Sequence, residues 1–297
     1  MKLLECVPNI SEGRDAVALG RMVAAVKDTP GADLLDWSAD PDHNRAVLTY
    51  VGEPEAVLAA TQALCREAFA LIDMRTHEGA HPRLGAVDVI PFVPLRGVTS
   101  DEAVALARRL GEWIGGQGVP VYYYQEAATR PGRESLPDVR RGEYEGLKAK
   151  LATPEGAPDA GPAVFNERSG ASVVGVRFPL IAFNVNLATS DLSVARRIAE
   201  AVRFSSGGYR YVRAMGVALE GKGQVQVSTD ILNYEKTPVH RVLETVRSEA
   251  SRYGVQVAGC ELIGLAPLDA FADAIRHYLQ IHEFSSSQII ESRLLEV

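Results

Sequence analysis

Cysteine is scarce in this chain. Only Cys6, Cys65 and Cys260 occur in 297 residues, far apart and with no CxxC pair. That count excludes a disulfide framework and a zinc knuckle. It fits a reducing compartment, so a cytoplasmic location is expected and each cysteine is read as a small core residue. Basic charge is also short: 31 Lys and Arg stand against 38 Asp and Glu, a net charge of -7. A general nucleic-acid surface needs the opposite balance, so nucleic acid is not an expected partner. An anionic small molecule would need a local basic pocket. No apolar run approaches the roughly 20 residues of a membrane span, so no membrane partner is expected. The opening residues lack the long apolar stretch of a secretory signal.

What is present is an ordinary globular composition, long enough for two modest domains. Apolar periodicity predicts a strand over residues 2–8, a helix over 12–27 capped at Ser11, and strands over 32–37 and 45–51. A helix over 53–72 and a strand over 87–93 complete β-α-β-β-α-β. A helix over 99–115, a strand over 120–124 and a charged helix over 137–151 follow. Residues 152–170 hold three prolines and three glycines without a period, and read as a long, functional loop. The second half repeats the pattern: strand 180–187, helix from Ser190-Asp191 to about 204, and strands 212–219 and 224–233 joined by a turn at 220–223. Helix 238–253, strand 255–265 and helix 268–281 follow. The expected fold is α/β (α+β). It has two ferredoxin-like βαββαβ subdomains, residues 1–178 and 179–297. Each is a mainly four-stranded sheet with helices on one outer face, and a ligand cleft lies between them. Ser285 to Ser287 read as a linker before a tail.

Two of the six histidines fall in His77-Glu78-Gly79-Ala80-His81-Pro82-Arg83. The text matches the H-E-x-x-H zinc motif, which needs both histidines on one helix face. Gly79 interrupts such a helix, and Pro82 pushes His81 out of the helical region. No metal is therefore expected. Two readings remain: acid–base chemistry near neutral pH, or histidines that cap the preceding helix.

The chain resembles the glutamate formiminotransferase family. Glu5-Cys6-Val7-Pro8-Asn9-Ile10-Ser11-Glu12-Gly13 is similar to the family's opening, and His81-Pro82-Arg83-Leu84-Gly85-Ala86-Val87-Asp88 to its catalytic segment. Arg141-Gly142-Glu143-Tyr144-Glu145, Pro158-Asp159 with Gly161-Pro162, Ile181 to Leu187, and Val225-Gln226-Val227-Ser228-Thr229 extend the match. The resemblance implies transfer of the formimino group from N-formimino-L-glutamate to N5 of tetrahydrofolate in histidine degradation. Tetrahydrofolate is then a co-substrate, and a homodimer is implied. It makes His81 the catalytic histidine. It makes Gly161, Pro162, Ala163, Val164, Phe165, Asn166, Glu167, Arg168, Ser169 and Gly170 the folate-contacting loop. Ser38 falls where the mammalian enzyme of the family has an aspartate that assists catalysis, so either Asp36, Asp40 or Asp42 takes that role or it is absent. Two rival readings are a related folate enzyme using a formyl donor and a non-enzymatic folate-binding module.

Both substrates are anionic, so positive charge must gather near them. Arg45, Arg75, Arg83 and Arg168 are candidates, as are the strand-end amides Asn9, Asn44, Asn184 and Asn186. Asn184 and Asn186 share one strand face by the period-two rule. His43 lies beside the Asn44-Arg45 strand start. Surface or packing roles are expected for His240, His277 and His282.

Overall fold

The computed structural model describes residues 2–219 and 221–294. The chain divides into two compact units, Met1–Arg177 and Phe178–Val297.

The first unit opens with β1 (Leu3–Cys6) and β2 (Asn9–Ile10), where one unbroken strand was expected. Pro8 has no N–H to offer a ladder. Its carbonyl still accepts from Leu48 N at 3.2 Å, which keeps both pieces against the same neighbour. Helix α1 (Ala16–Lys27) begins later than expected, because Asp15 and not Ser11 caps it. The Asp15 carboxylate accepts from the N–H groups of Val17 and Ala18. Ser11 instead donates its hydroxyl to Gly85 O at 2.8 Å. Strands β3 (Ala32–Asp40) and β4 (Arg45–Gly52), helix α2 (Pro54–Leu71) and strand β5 (Val87–Arg96) complete the repeat unit.

Helix α3 (Ser100–Gly116) follows, capped reciprocally by Thr99 and Glu102, and then β6 (Val121–Gln125). The single charged helix expected next is two, α4 (Leu136–Val139) and α5 (Glu143–Leu151). Gly142 separates them at φ 88°, a left-handed conformation that ends a helix. Strand β7 (Ser172–Val176) closes the unit.

Within this sheet β5, β1 with β2, β4 and β3 lie side by side in the antiparallel ferredoxin-like order. The expectation of four strands needs correction. β7 adds parallel to β5 and β6 parallel to β7, giving seven strands. The expectation of helices on one face also fails here. Val121 and Tyr123 of β6 point into the main core with α1, α2 and α3, while Tyr122 and Tyr124 point into a second core with α4 and α5. Covered on both sides, β7 is buried along its whole length and β6 along all but its last residue, as parallel strands usually are.

The second unit contains β8 (Ile181–Leu187), α6 (Leu192–Val202), β9 (Val212–Leu219), β10 (Gln224–Ile231), α7 (Val239–Ser251), β11 (Val257–Ile263), α8 (Asp269–Leu279) and α9 (Ile290–Leu294). Its four strands run β11-β8-β10-β9, the ferredoxin-like order as expected. Asp191 caps α6, also as expected. A turn of 3-10 helix at Ser286–Gln288 replaces the expected linker. Glu220 of the expected turn and residues 295–297 of the tail lie outside the described residues. Cys6 and Cys65 are buried, but Cys260 is exposed on edge strand β11, against the expectation for all three.

Phe92 is fully buried at the centre of the first core. Phe92→Ala should lower unfolding stability by about 3–5 kcal/mol through lost burial and a residual cavity. Urea unfolding of the variant checks this; an unchanged midpoint would remove Phe92 from the core's foundation.

Candidate active site

The segment from Ile72 to Ala86 has no helix, so His77 and His81 do not share a helix face. Each histidine has a different partner. His77 donates from Nε2 to Asn44 O at 3.0 Å and accepts at Nδ1 from Arg83 Nε at 3.3 Å. Nε2 thus ties the segment to the residue before β4, while Nδ1 bonds Arg83 within the segment. His81 Nε2 lies 2.5 Å from Arg45 Nη1. A guanidinium only donates, so Nε2 accepts, and the neutral ring carries its proton on Nδ1.

Asn44 joins the two segments. Its Oδ1 accepts from Gly13 N at 2.9 Å and its Nδ2 donates to Glu78 O at 3.0 Å. Its φ of 46° is left-handed, a conformation asparagine tolerates better than most residues. Opposite it, a Cβ on Gly79 would meet His43 O at 2.3 Å, so only glycine permits this approach.

Electrostatics keep His81 uncharged. Burial, followed by the neighbouring charges of Arg45 and Arg140 and by His43, lowers its pKa to about 3. Arg140 is itself held by the buried carboxylate of Asp88, whose Oδ1 also accepts from Leu84 N at 2.8 Å. His43 is held by Asp40: Nδ1 lies 2.6 Å from Oδ2, and the ring stands edge-on to His81 with centroids 6.3 Å apart. The backbone N–H of His43 is the main cause of the lowered Asp40 pKa, with the ring adding to it. Of Asp36, Asp40 and Asp42, it is Asp40 that the structure joins to His43.

Arg83 is buried and gripped by two carboxylates, Glu145 at 2.7 Å and Glu143 at 3.4 Å. These groups, with His77, Glu78, Gly79 and Gly142, line a cavity of about 500 Å³. Arg75 and Arg168 both bond Asp73, at 2.5 Å and 3.2 Å. Arg83, Arg75 and Arg168 thus face carboxylates of their own unit.

The loop at residues 161–170 is anchored at its end and open in its middle. Gly170 pairs with Gly85, and Met74 N donates to Arg168 O at 2.9 Å. Asn166 Oδ1 accepts from Ser169 N at 2.9 Å. Ser169 is buried, whereas Val164 is 67% exposed. Tyr144 ties this loop to the histidine segment. Its N–H donates to Arg83 O, its hydroxyl to Glu167 O, and its ring lies 5.4 Å from that of Phe165. Asn9, on β2 opposite Val47 of β4, donates from Nδ2 to Val7 O at 3.2 Å.

In the second unit Asn184 and Asn186 share the sheet face opposite its core. Asn184 Oδ1 accepts from Thr229 N, while Asn186 bonds Glu261 at 3.0 Å and Gln226 at 2.8 Å. His240 and His277 stack at 4.7 Å, a packing role as expected.

Sequence reasoning named Asp88, Glu143 and Glu145 only within motifs of the family resemblance, without their arginine partners, and missed Arg140.

Two family models match the chain: "Formiminotransferase domain, N-terminal subdomain" over residues 3–177 and "Formiminotransferase domain" over residues 182–295. A glutamate formimidoyltransferase of Streptococcus pyogenes is 44% identical over 296 residues, 99% of each chain. One from Thermoplasma acidophilum is 43% identical over 99% of this chain and 98% of that one. The formimidoyltransferase-cyclodeaminase of Rattus norvegicus is 45% identical over 93% of this chain, which spans 52% of that longer protein.

The depressed basicity of His81 has a consequence for stability. An unfolded histidine takes up its proton near pH 6.5, but folded His81 resists until about 3. Between those values the unfolded chain binds the extra proton, so acidification through this window costs stability. His81→Asn removes that cost. Its melting temperature should gain on the wild type steadily from about pH 7 down to about pH 4. A difference that stays constant across this range contradicts the assignment.

Proposed function

The chain belongs to the formiminotransferase family, and we propose that it is a glutamate formimidoyltransferase. It moves the formimino group of N-formimino-L-glutamate to N5 of tetrahydrofolate, yielding 5-formiminotetrahydrofolate and L-glutamate in histidine degradation. The observation that carries this reading is the end-to-end match to two enzymes named for that activity.

His81 is the proton shuttle in this proposal. N5 attacks the formimino carbon and forms the new C–N bond. The N5 proton passes to His81 Nε2. The bond from that carbon to the glutamate nitrogen then breaks, and His81 returns the proton to the departing nitrogen. A base held neutral is the form this cycle starts from, and one histidine serves both half-steps. Holding the two reactants in register supplies much of the remaining acceleration.

Folate contacts the loop at 161–170. Support for this comes from the loop's exposed middle and from Tyr144, which links it to the histidine segment. Asp40, acting through His43, takes the role left vacant by Ser38; the support is the 2.6 Å contact and the edge-on ring. A homodimer in the cytoplasm completes the proposal.

A coupled assay with N-formimino-L-glutamate and tetrahydrofolate tests the reading. The wild type should turn over, and His81→Asn should lose about 10²–10⁴-fold in kcat while still binding folate. No turnover by the wild type overturns the function, and full turnover by the variant removes His81 from the chemistry.

A further inference from the structure

The loop at residues 161–170 is held unevenly. Four successive carbonyls near its end each accept a hydrogen bond. Gly170 N donates to Asn166 O at 2.7 Å, Met74 N to Arg168 O at 2.9 Å and Ala86 N to Ser169 O at 2.9 Å. The fourth, Glu167 O, accepts from the Tyr144 hydroxyl at 2.5 Å. Three of these donors are backbone N–H groups, present whatever the side chains are. Of the four, Tyr144 is the one that holds the loop by a side chain. Ala163 and Val164, ahead of this bolted stretch, are exposed.

Tyr144 also grips the histidine segment. Its N–H donates to Arg83 O at 2.9 Å. Only Pro82, whose ring fixes φ, separates Arg83 from His81. The backbone that aims Tyr144 is itself constrained. Gly142 and Glu143 are both left-handed, at φ 88° and 53°. Glycine adopts this conformation freely; a glutamate keeps it only where its surroundings over-determine it. Here they do. Glu143 N donates to Arg140 O at 2.7 Å, and the carboxylates of Glu143 and Glu145 hold the Arg83 guanidinium. The turn that starts α5 is therefore clamped to Arg83, and the phenol it carries is clamped to the loop.

We propose that Tyr144 is a positioning residue: the bond from its hydroxyl to Glu167 O sets the spacing between the loop and His81, and so brings folate into register with the base. This rests on the reading of the loop as a folate site and of His81 as the proton shuttle. Transfer needs N5 close to His81 and to the formimino carbon at once. An error of about 1 Å in such a geometry costs about 10²-fold in rate. The phenol fixes the spacing before folate arrives, which lowers the ordering cost of binding. It acts through the loop and touches no reacting atom.

The test is Tyr144→Phe, which removes the hydroxyl and keeps the ring that packs 5.4 Å from Phe165. The variant should bind 5-formyltetrahydrofolate about three- to tenfold more weakly by calorimetry, the size of one lost hydrogen bond, and lose a similar factor in kcat. Its KM for N-formimino-L-glutamate and its pH profile of kcat/KM should not move. Folate affinity equal to the wild type overturns the proposal. So does a parallel loss for both substrates, which marks a general loosening of the unit. A shifted pH profile also overturns it, because the hydroxyl would then lie in the proton path. Hydrogen exchange of the free proteins reads the tie without any ligand. The amides of Ser169 and Gly170, both bonded to Asn166, should exchange faster in the variant, and unchanged exchange overturns the proposal. Unaltered folate binding in the variant with wild-type turnover intact leaves the transferase standing without Tyr144. Weakened folate binding in a protein that shows no formimino transfer keeps Tyr144 and removes the reaction. A wild type that binds no folate overturns both.

Discussion

The side chain of Asn44 is the constraint on which the site depends. It is 7% exposed and bonds backbone groups in two directions, Gly13 on one side and Glu78 on the other. Three segments far apart in the chain meet there: the turn before α1, the start of β4 and the histidine-bearing segment. Removing the amide would strand the buried Gly13 N–H and leave the part-buried Glu78 carbonyl unpaired, which is costlier than losing one exposed contact. Gly79 answers the same constraint from the other strand of backbone, because a methyl group there would strike His43 O. The 2.5 Å contact of Arg45 with His81 is therefore a consequence of backbone anchored on both sides.

The charge arrangement follows a single rule. An acidic chain cannot gather free arginines around an anionic substrate without cost, and here it does not. Arg83, Arg140, Arg75 and Arg168 each meet a carboxylate. Arg83 and Arg140 act as struts. Buried Arg83 fixes α5 against the histidine segment through Glu145, and Arg140 fixes the end of α4 against β5 through Asp88. Breaking such a pair would leave an uncompensated charge, so these side chains are poorly suited to leave their partners for a ligand. Arg45 lies 2.5 Å from the imidazole of His81.

Much of the fold was legible in the sequence because it rests on local periodicity. The two βαββαβ runs appear in the alternation of apolar residues, and both adopt the expected strand order. Strand β7 was not legible. Ser172–Val176 is short, apolar on both faces and paired in parallel with β5 and β6, so its partners are remote in sequence. The break between α4 and α5 was visible in principle, since Gly142 sits where a helix was drawn through it. At the site, the failure of the zinc motif followed from Gly79 and Pro82, and the structure has no helix there. The identity of each arginine's partner was not legible. Arg83 with Glu145 and Arg140 with Asp88 span 62 and 52 residues, distances at which spacing carries no information. The same holds for Arg45 and His81, both singled out in sequence but brought together only by tertiary structure.

The central claim is that His81 Nε2 handles the proton of N5. A crystal structure of the chain with 5-formyltetrahydrofolate and L-glutamate bound tests it most directly. The account predicts N5 within about 2.6–3.2 Å of His81 Nε2, directly or through one water. A folate bound with N5 remote from His81 would contradict it.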